Sequence, residues 1–99
     1  MSENPLKPLE TIDPRLTKLM EDSRQLAMGE GAMPVKYKFL IALALDAAHG
    51  ASDGVAALAR AAIHFGATKD EIAEAIRVTY YIAGVGSAYT AAAGLKGIV

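Results

Sequence analysis

Apolar residues recur along the chain at the three- and four-residue spacing of a helix face, and no stretch alternates convincingly as a strand does. Glycine and proline divide this pattern into about five helical pieces. Asp13 and Pro14 read as the N-cap and first residue of a helix ending near Gly29. Its apolar face is Leu16, Leu19, Met20, Ser23 and Ala27, and Lys18, Glu21, Asp22 and Gln25 face solvent. Pro34 opens a second helix, Val35 to His49, which is apolar nearly all round until Gly50 stops it; this predicts a central, buried helix.

Ser52-Asp53-Gly54 supplies capping side chains for a third helix, striped by Val55, Leu58, Ala59 and Ala62 and stopped by Gly66. Thr68-Lys69-Asp70-Glu71 matches a capping box, so a fourth helix runs from about Lys69 to Ala83. Its apolar set, from Ile72 through Tyr80, Tyr81 and Ile82, is wider than one stripe, which predicts that its second half meets neighbours on two sides, one of them another subunit. Gly84-Val85-Gly86 breaks it, Ser87 caps the next helix, and Ala88 to Leu95 forms a short last one. Residues 1–12 read as a flexible N-terminal segment and 13–99 as one all-α domain.

Composition narrows the function classes. The 99 residues are 53% hydrophobic and 21% charged, with twenty alanines, enough for a single core. A chain this short buries only roughly 60 to 65% of its unfolded surface, so a positive mean hydropathy directs part of the apolar surface to a homo-oligomer. Ten basic and eleven acidic residues, a net charge of −1, lack the basic stripe of a nucleic-acid binder. The longest apolar run, Phe39 to Leu45 with a short continuation, falls far below the roughly 20 residues of a bilayer span, so no membrane partner is expected. Met1 to Pro8 has no apolar signal region, and a cytoplasmic location is the default. The absence of cysteine removes disulfides, thiolate zinc sites, thiol nucleophiles and dithiol redox pairs, and no cofactor is implied.

The order of signals is itself informative: Pro34-Val-Lys36-Tyr-Lys38-Phe-Leu40-Ile41-Ala42, Ala47-Ala48-His49-Gly50, Gly66-Ala67-Thr68-Lys-Asp-Glu71-Ile72, then Gly84-Val85-Gly86. It resembles the carboxymuconolactone decarboxylase and alkylhydroperoxidase D family over roughly residues 14 to 95. The resemblance implies a helical subunit that assembles as dimers, trimers or hexamers, with its pocket between helices near a subunit interface. In the alkylhydroperoxidase D branch it implies a Cys-x-x-Cys-x-x-x-His motif on the third helix and a glutamate on the central one. Carried over residue by residue, the cysteines fall at Ala51 and Gly54, the histidine at Leu58 and the glutamate at Phe39. The decarboxylase branch usually keeps a histidine at the Leu58 position, so neither chemistry transfers.

A glutamate and a histidine in a partly buried pocket cost several kcal/mol of desolvation unless hydrogen-bonded, whereas Phe39 and Leu58 would each stabilise the same place by roughly 1.5 to 3 kcal/mol. Two outcomes stay open at this level: Phe39 fills the former pocket as core, or an apolar pocket remains that holds a small hydrophobic ligand.

The remaining titratable candidates are few. His49 ends the central helix beside Gly50 and reads as a C-cap that complements the helix dipole; alternatively, three residues after Asp46, it is an acid–base candidate with Asp46 or Asp53 as catalytic partner. A metal cluster of Asp46, His49 and Asp53 lacks the convergence of a motif, and none is expected. His64, with Arg60 one turn back, reads as a second capping histidine. Lys36 and Lys38 read as solvated charges, alternatively as rim residues for an anionic partner. Tyr80, Tyr81 and Tyr89 read as core or interface anchors, and Gly84 to Ser87 as an interhelical turn.

The resulting expectation is a family member that has lost the thiol site and acts as a binding or structural oligomer subunit, for a small hydrophobic ligand or a catalytic relative. Its rival is an enzyme with relocated acid–base chemistry at His49, of decarboxylase, isomerase or lactone-processing type.

Overall fold

Local capping chemistry marks out the helices in the computed structural model, which describes residues 4–99. In chain order they are α1 (Lys7–Ile12), α2 (Pro14–Met28), α3 (Val35–Ala48), α4 (Ser52–His64), α5 (Lys69–Ala83) and α6 (Val85–Leu95), and no strand occurs among the described residues. The Asp13 carboxylate accepts from the Leu16 amide at 3.1 Å, with Pro14 in the first helical position, as the sequence predicts. Thr68 and Glu71 form both halves of the predicted capping box, at 3.0 and 2.9 Å. Gly50 and Gly66 end α3 and α4 with φ of +80° and +100°, a region open to glycine at no steric cost.

Other boundaries differ from the sequence reading. A six-residue helix, α1, precedes Asp13; Pro8 sits in its first turn, and too few residues are involved for periodicity to reveal it. The N-cap of α4 is Ala51 with no side-chain cap, so Ser52 and Asp53 are already helical. Helix α6 begins at Val85 rather than Ala88, because the whole reversal is made at Gly84, φ +91°, leaving Gly86 inside the helix. Ser87 is consequently buried in the first turn, its hydroxyl donating to the Gly84 carbonyl at 2.6 Å.

Two clusters form the core. In one, Leu43 and Ala47 of α3 meet Val55 and Ala59 of α4 and Ala91 of α6, with Leu58 and Ile76 packed against them. In the other, Leu40, Ala62, Ala67 and Ile72 come together with Phe39 and Ala75 at the edge. Leu43 and Val55 are wholly enclosed, each contributing roughly 1.5 to 3 kcal/mol by burial. Alanine at most other core positions lets the helix axes approach closely. Helix α6 approaches α4 closely at Gly94, where a Cβ would stand 2.6 Å from the Ser52 carbonyl oxygen and the Val55 side chain.

Helix α3 packs on α4, α5 and α6 and also receives α2. It is central, but it is buried only through Leu40, Leu43 and Ala47; Ile41 and Leu45 are exposed, so the expectation of a helix covered all round is not met within one subunit. The α4 stripe is buried as expected at Val55, Ala59 and Ala62. Helix α2 has no buried residue at all: the predicted face of Leu16, Leu19 and Met20 stays exposed because α2 packs on α1 and meets the bundle chiefly through α3.

Candidate functional site

Positions 39, 54 and 58 lie on α3 and α4, which pack against each other, and position 51 is the residue that precedes α4. Phe39 is half-buried and stacks on Phe65, ring centroids 5.4 Å apart, while packing on the cluster that includes Leu40 and Ile72. Leu58 packs against the other cluster, with Leu43 and Val55. Ala51 is the N-cap residue of α4 and Gly54 sits in the first turn. A Cβ at Gly54 would run into the carboxylate of Asp46, so the last turn of α3 and the first of α4 use the missing side chain for contact. Aromatic and aliphatic carbon therefore occupies two of the four positions, and two bare or methyl-sized residues allow close helix approach at the others.

Of the residues read as acid–base candidates, Asp46 leans on Gly54 at the positive end of the α4 dipole, where a carboxylate is favoured without any catalytic partner. His49 is exposed and is the C-cap of α3, its backbone N–H reaching the Leu45 and Ala47 carbonyls. Asp53 is exposed in the first turn of α4. Among the described residues no hydrogen bond or ion pair joins His49 to Asp46 or Asp53, and no three His, Cys, Asp or Glu side chains converge to hold a metal ion. His64 stands edge-on to Phe65, centroids 5.1 Å apart.

Lys36 and Lys38, read from sequence as solvated charges, are instead tied into the fold. Lys36 Nζ lies 3.0 Å from Glu71 Oε2, joining the first turns of α3 and α5 across thirty-five positions of sequence. Lys38 Nζ donates to the Gly29 carbonyl at 2.7 Å, satisfying the chain just beyond α2. The Thr68 amide, and after it the Lys36 ammonium, hold the Glu71 carboxyl below the usual carboxylate range, and the same ion pair raises Lys36. The capping box marks Glu71 in the sequence, but nothing there points to Lys36 as its partner.

A surface cleft of about 550 Å³ opens beside this pair, lined by Met33, Val35, Lys36 and Phe65 among others. Phe65 thus belongs both to the cleft wall and to the stack that holds Phe39.

Tyr80, Tyr81 and Tyr89 are all exposed, as are Val78, Ile82 and Val85, around the second half of α5 and along α6.

Comparison with known proteins agrees with this architecture. The sequence model of the carboxymuconolactone decarboxylase family matches residues 14–96. The structure is similar to the apo crystal structure of a carboxymuconolactone decarboxylase family protein from Legionella pneumophila, with a TM-score of 0.86 and 27% identity. The similarity covers 92% of this chain and 81% of that one. A search of curated proteins finds no match. With the family pattern spanning α2 to α6 and the fold reproduced over nearly the whole chain, this protein belongs to the carboxymuconolactone decarboxylase family.

Proposed function

We propose that this chain is a carboxymuconolactone decarboxylase family member without the thiol peroxidase site, serving as a binding or structural subunit of a homo-oligomer. The observation that carries this reading is the packing of Phe39, which stands where the family resemblance places a proton-transferring glutamate. Its ring is stacked on Phe65 and set against the Leu40 cluster, so that place holds hydrocarbon packing and no titratable group. Leu58, at the histidine position, is likewise engaged with core residues. A chain with no cysteine has no thiolate to attack a peroxide and no second thiol to resolve the product.

The exposed apolar side chains on α2 and on the outer side of α5 and α6 support the oligomer part of the reading. Peroxide turnover with a dithiol donor is the direct test. Rates equal to a protein-free control are expected, and turnover clearly above that control overturns the proposal.

A further inference from the structure

The isolated subunit exposes far more surface than a closed monomer of its mass. Its accessible area is 7103 Å² for 10.3 kDa, whereas a monomer of that mass exposes about 5,400 Å². The difference, roughly 1,700 Å², exceeds the about 800 Å² that each partner contributes to a standard stable interface. The radius of gyration, 14.4 Å, is likewise larger than the about 12.6 Å of a compact chain of this length.

The excess has a structural source. Helices α1 and α2 form an arm that meets the bundle chiefly through α3, and neither contributes a buried residue. On α2, Leu19 and Leu26 lie on one side of the helix, seven positions apart, and are 61% and 87% exposed. A second uncovered apolar surface lies on the body of the bundle. Tyr81 lies nearly opposite the buried Thr79 on α5, Val78 and Ile82 flank it on the exposed side, with Tyr81 and Ile82 83% and 77% exposed, and Val85 and Tyr89 are exposed on the adjoining α6. A two-faced helix of this kind needs cover on both sides.

We propose that the α1–α2 arm of one copy lies across the outer face of α5 and α6 of a second copy, with Leu19 and Leu26 seated on Tyr81, Ile82 and Tyr89. The inference rests on the homo-oligomeric reading above and specifies its surfaces. One aliphatic helix and one aromatic band per chain make a reciprocal exchange self-consistent: two copies related by a two-fold axis cover both arms and both bands at once. Arm-on-arm pairing would leave the aromatic band of every copy bare.

The test uses the full chain. Native mass spectrometry of the wild type is expected to show an oligomer. Leu26→Glu and Ile82→Glu alter side chains that are exposed in the isolated subunit, so each should keep its helical circular dichroism while weakening association at least tenfold. Because the chain has no cysteine, Leu26→Cys on one copy and Ile82→Cys on another give a clean proximity readout. A short thiol crosslinker is expected to join unlike copies in preference to like ones. Crosslinking confined to like copies, or an oligomer indifferent to both glutamate variants, overturns the arm exchange and leaves the homo-oligomer standing. A wild-type monomer overturns both, including one that retains a lipid or a foreign protein on these faces.

Discussion

The Glu71 carboxylate closes the capping box of its own helix and at the same time holds Lys36 of α3 at 3.0 Å, so one side chain sets both a helix start and the relation between two helices. The folded protein keeps this carboxyl ionised to lower pH than the unfolded chain does, since the Thr68 amide and Lys36 both favour the charged form. Its contribution is therefore fully present above the ordinary value of 4.5 and is lost as pH falls through the depressed folded value. Lys36 has the opposite sign: its raised value preserves the pair below 10.5 and releases it as pH climbs beyond. Glu71→Gln retains a capping side chain without the charge. Thermal melts between pH 7 and 3 should show a shallower acid loss of stability in this variant than in the wild type, and equal slopes would contradict the assignment.

Gly94 is where α6 presses on α4. Gly94→Ala would place a methyl group 2.6 Å from backbone and side-chain atoms of α4, and should cost about 1 to 3 kcal/mol as overpacking. Gly86, in the same helix, faces nothing within 4 Å. Gly86→Ala is the matched control, expected to be neutral or to stabilise by up to about 1 kcal/mol. Denaturant midpoints of the two variants should move apart; a common shift would mean that the contact at Gly94 is unimportant.

The packing of Phe39 has a stability signature. Phe39→Ala removes the stack on Phe65 together with the contact to the Leu40 cluster, an expected loss of about 1 to 3 kcal/mol. Leu58→His, which restores the residue type of the family motif, should also destabilise by about 1 to 3 kcal/mol, because it sets a polar ring against Leu43 and Val55. Urea unfolding measures both, and changes within about 0.5 kcal/mol would mark these positions as ordinary surface.

His49 has a different expectation. Its side chain is exposed at the end of α3 and its cap bonds are made by the backbone, so His49→Ala should leave stability within about 0.5 kcal/mol and the subunit stoichiometry unchanged. A large loss of any measured turnover or ligand binding in a folded His49→Ala protein would instead support relocated acid–base chemistry.

Much of the helical framework was legible in the chain because its determinants are local. Asp13 reaches an amide three residues on, Thr68 and Glu71 satisfy each other across one turn, and Gly50 and Gly66 stop helices through their own backbone freedom. The same locality explains the misreadings. Ser52 carries a capping side chain but sits one residue inside α4, and Ser87 carries one that turned inward once Gly84 alone had made the reversal. The wide apolar set on α5 is buried on one side only within the subunit, and the narrower stripe on α2 suggested a core contact that the subunit does not supply.

The sequence by itself determined an all-helical chain, the start of α2 and α5, the buried stripe of α4, the family, and the absence of any thiol. Each depends on residue identity or on partners within about one helical turn. Only the tertiary structure decided that Lys36 meets Glu71, that Lys38 meets Gly29, that Asp46 rests on Gly54, that Phe39 stacks on Phe65, and that α2 stands uncovered. Those relations bring together residues on different elements, and which pairs meet is set by how alanine- and glycine-lined helices settle against one another. Spacing along the chain does not record that geometry.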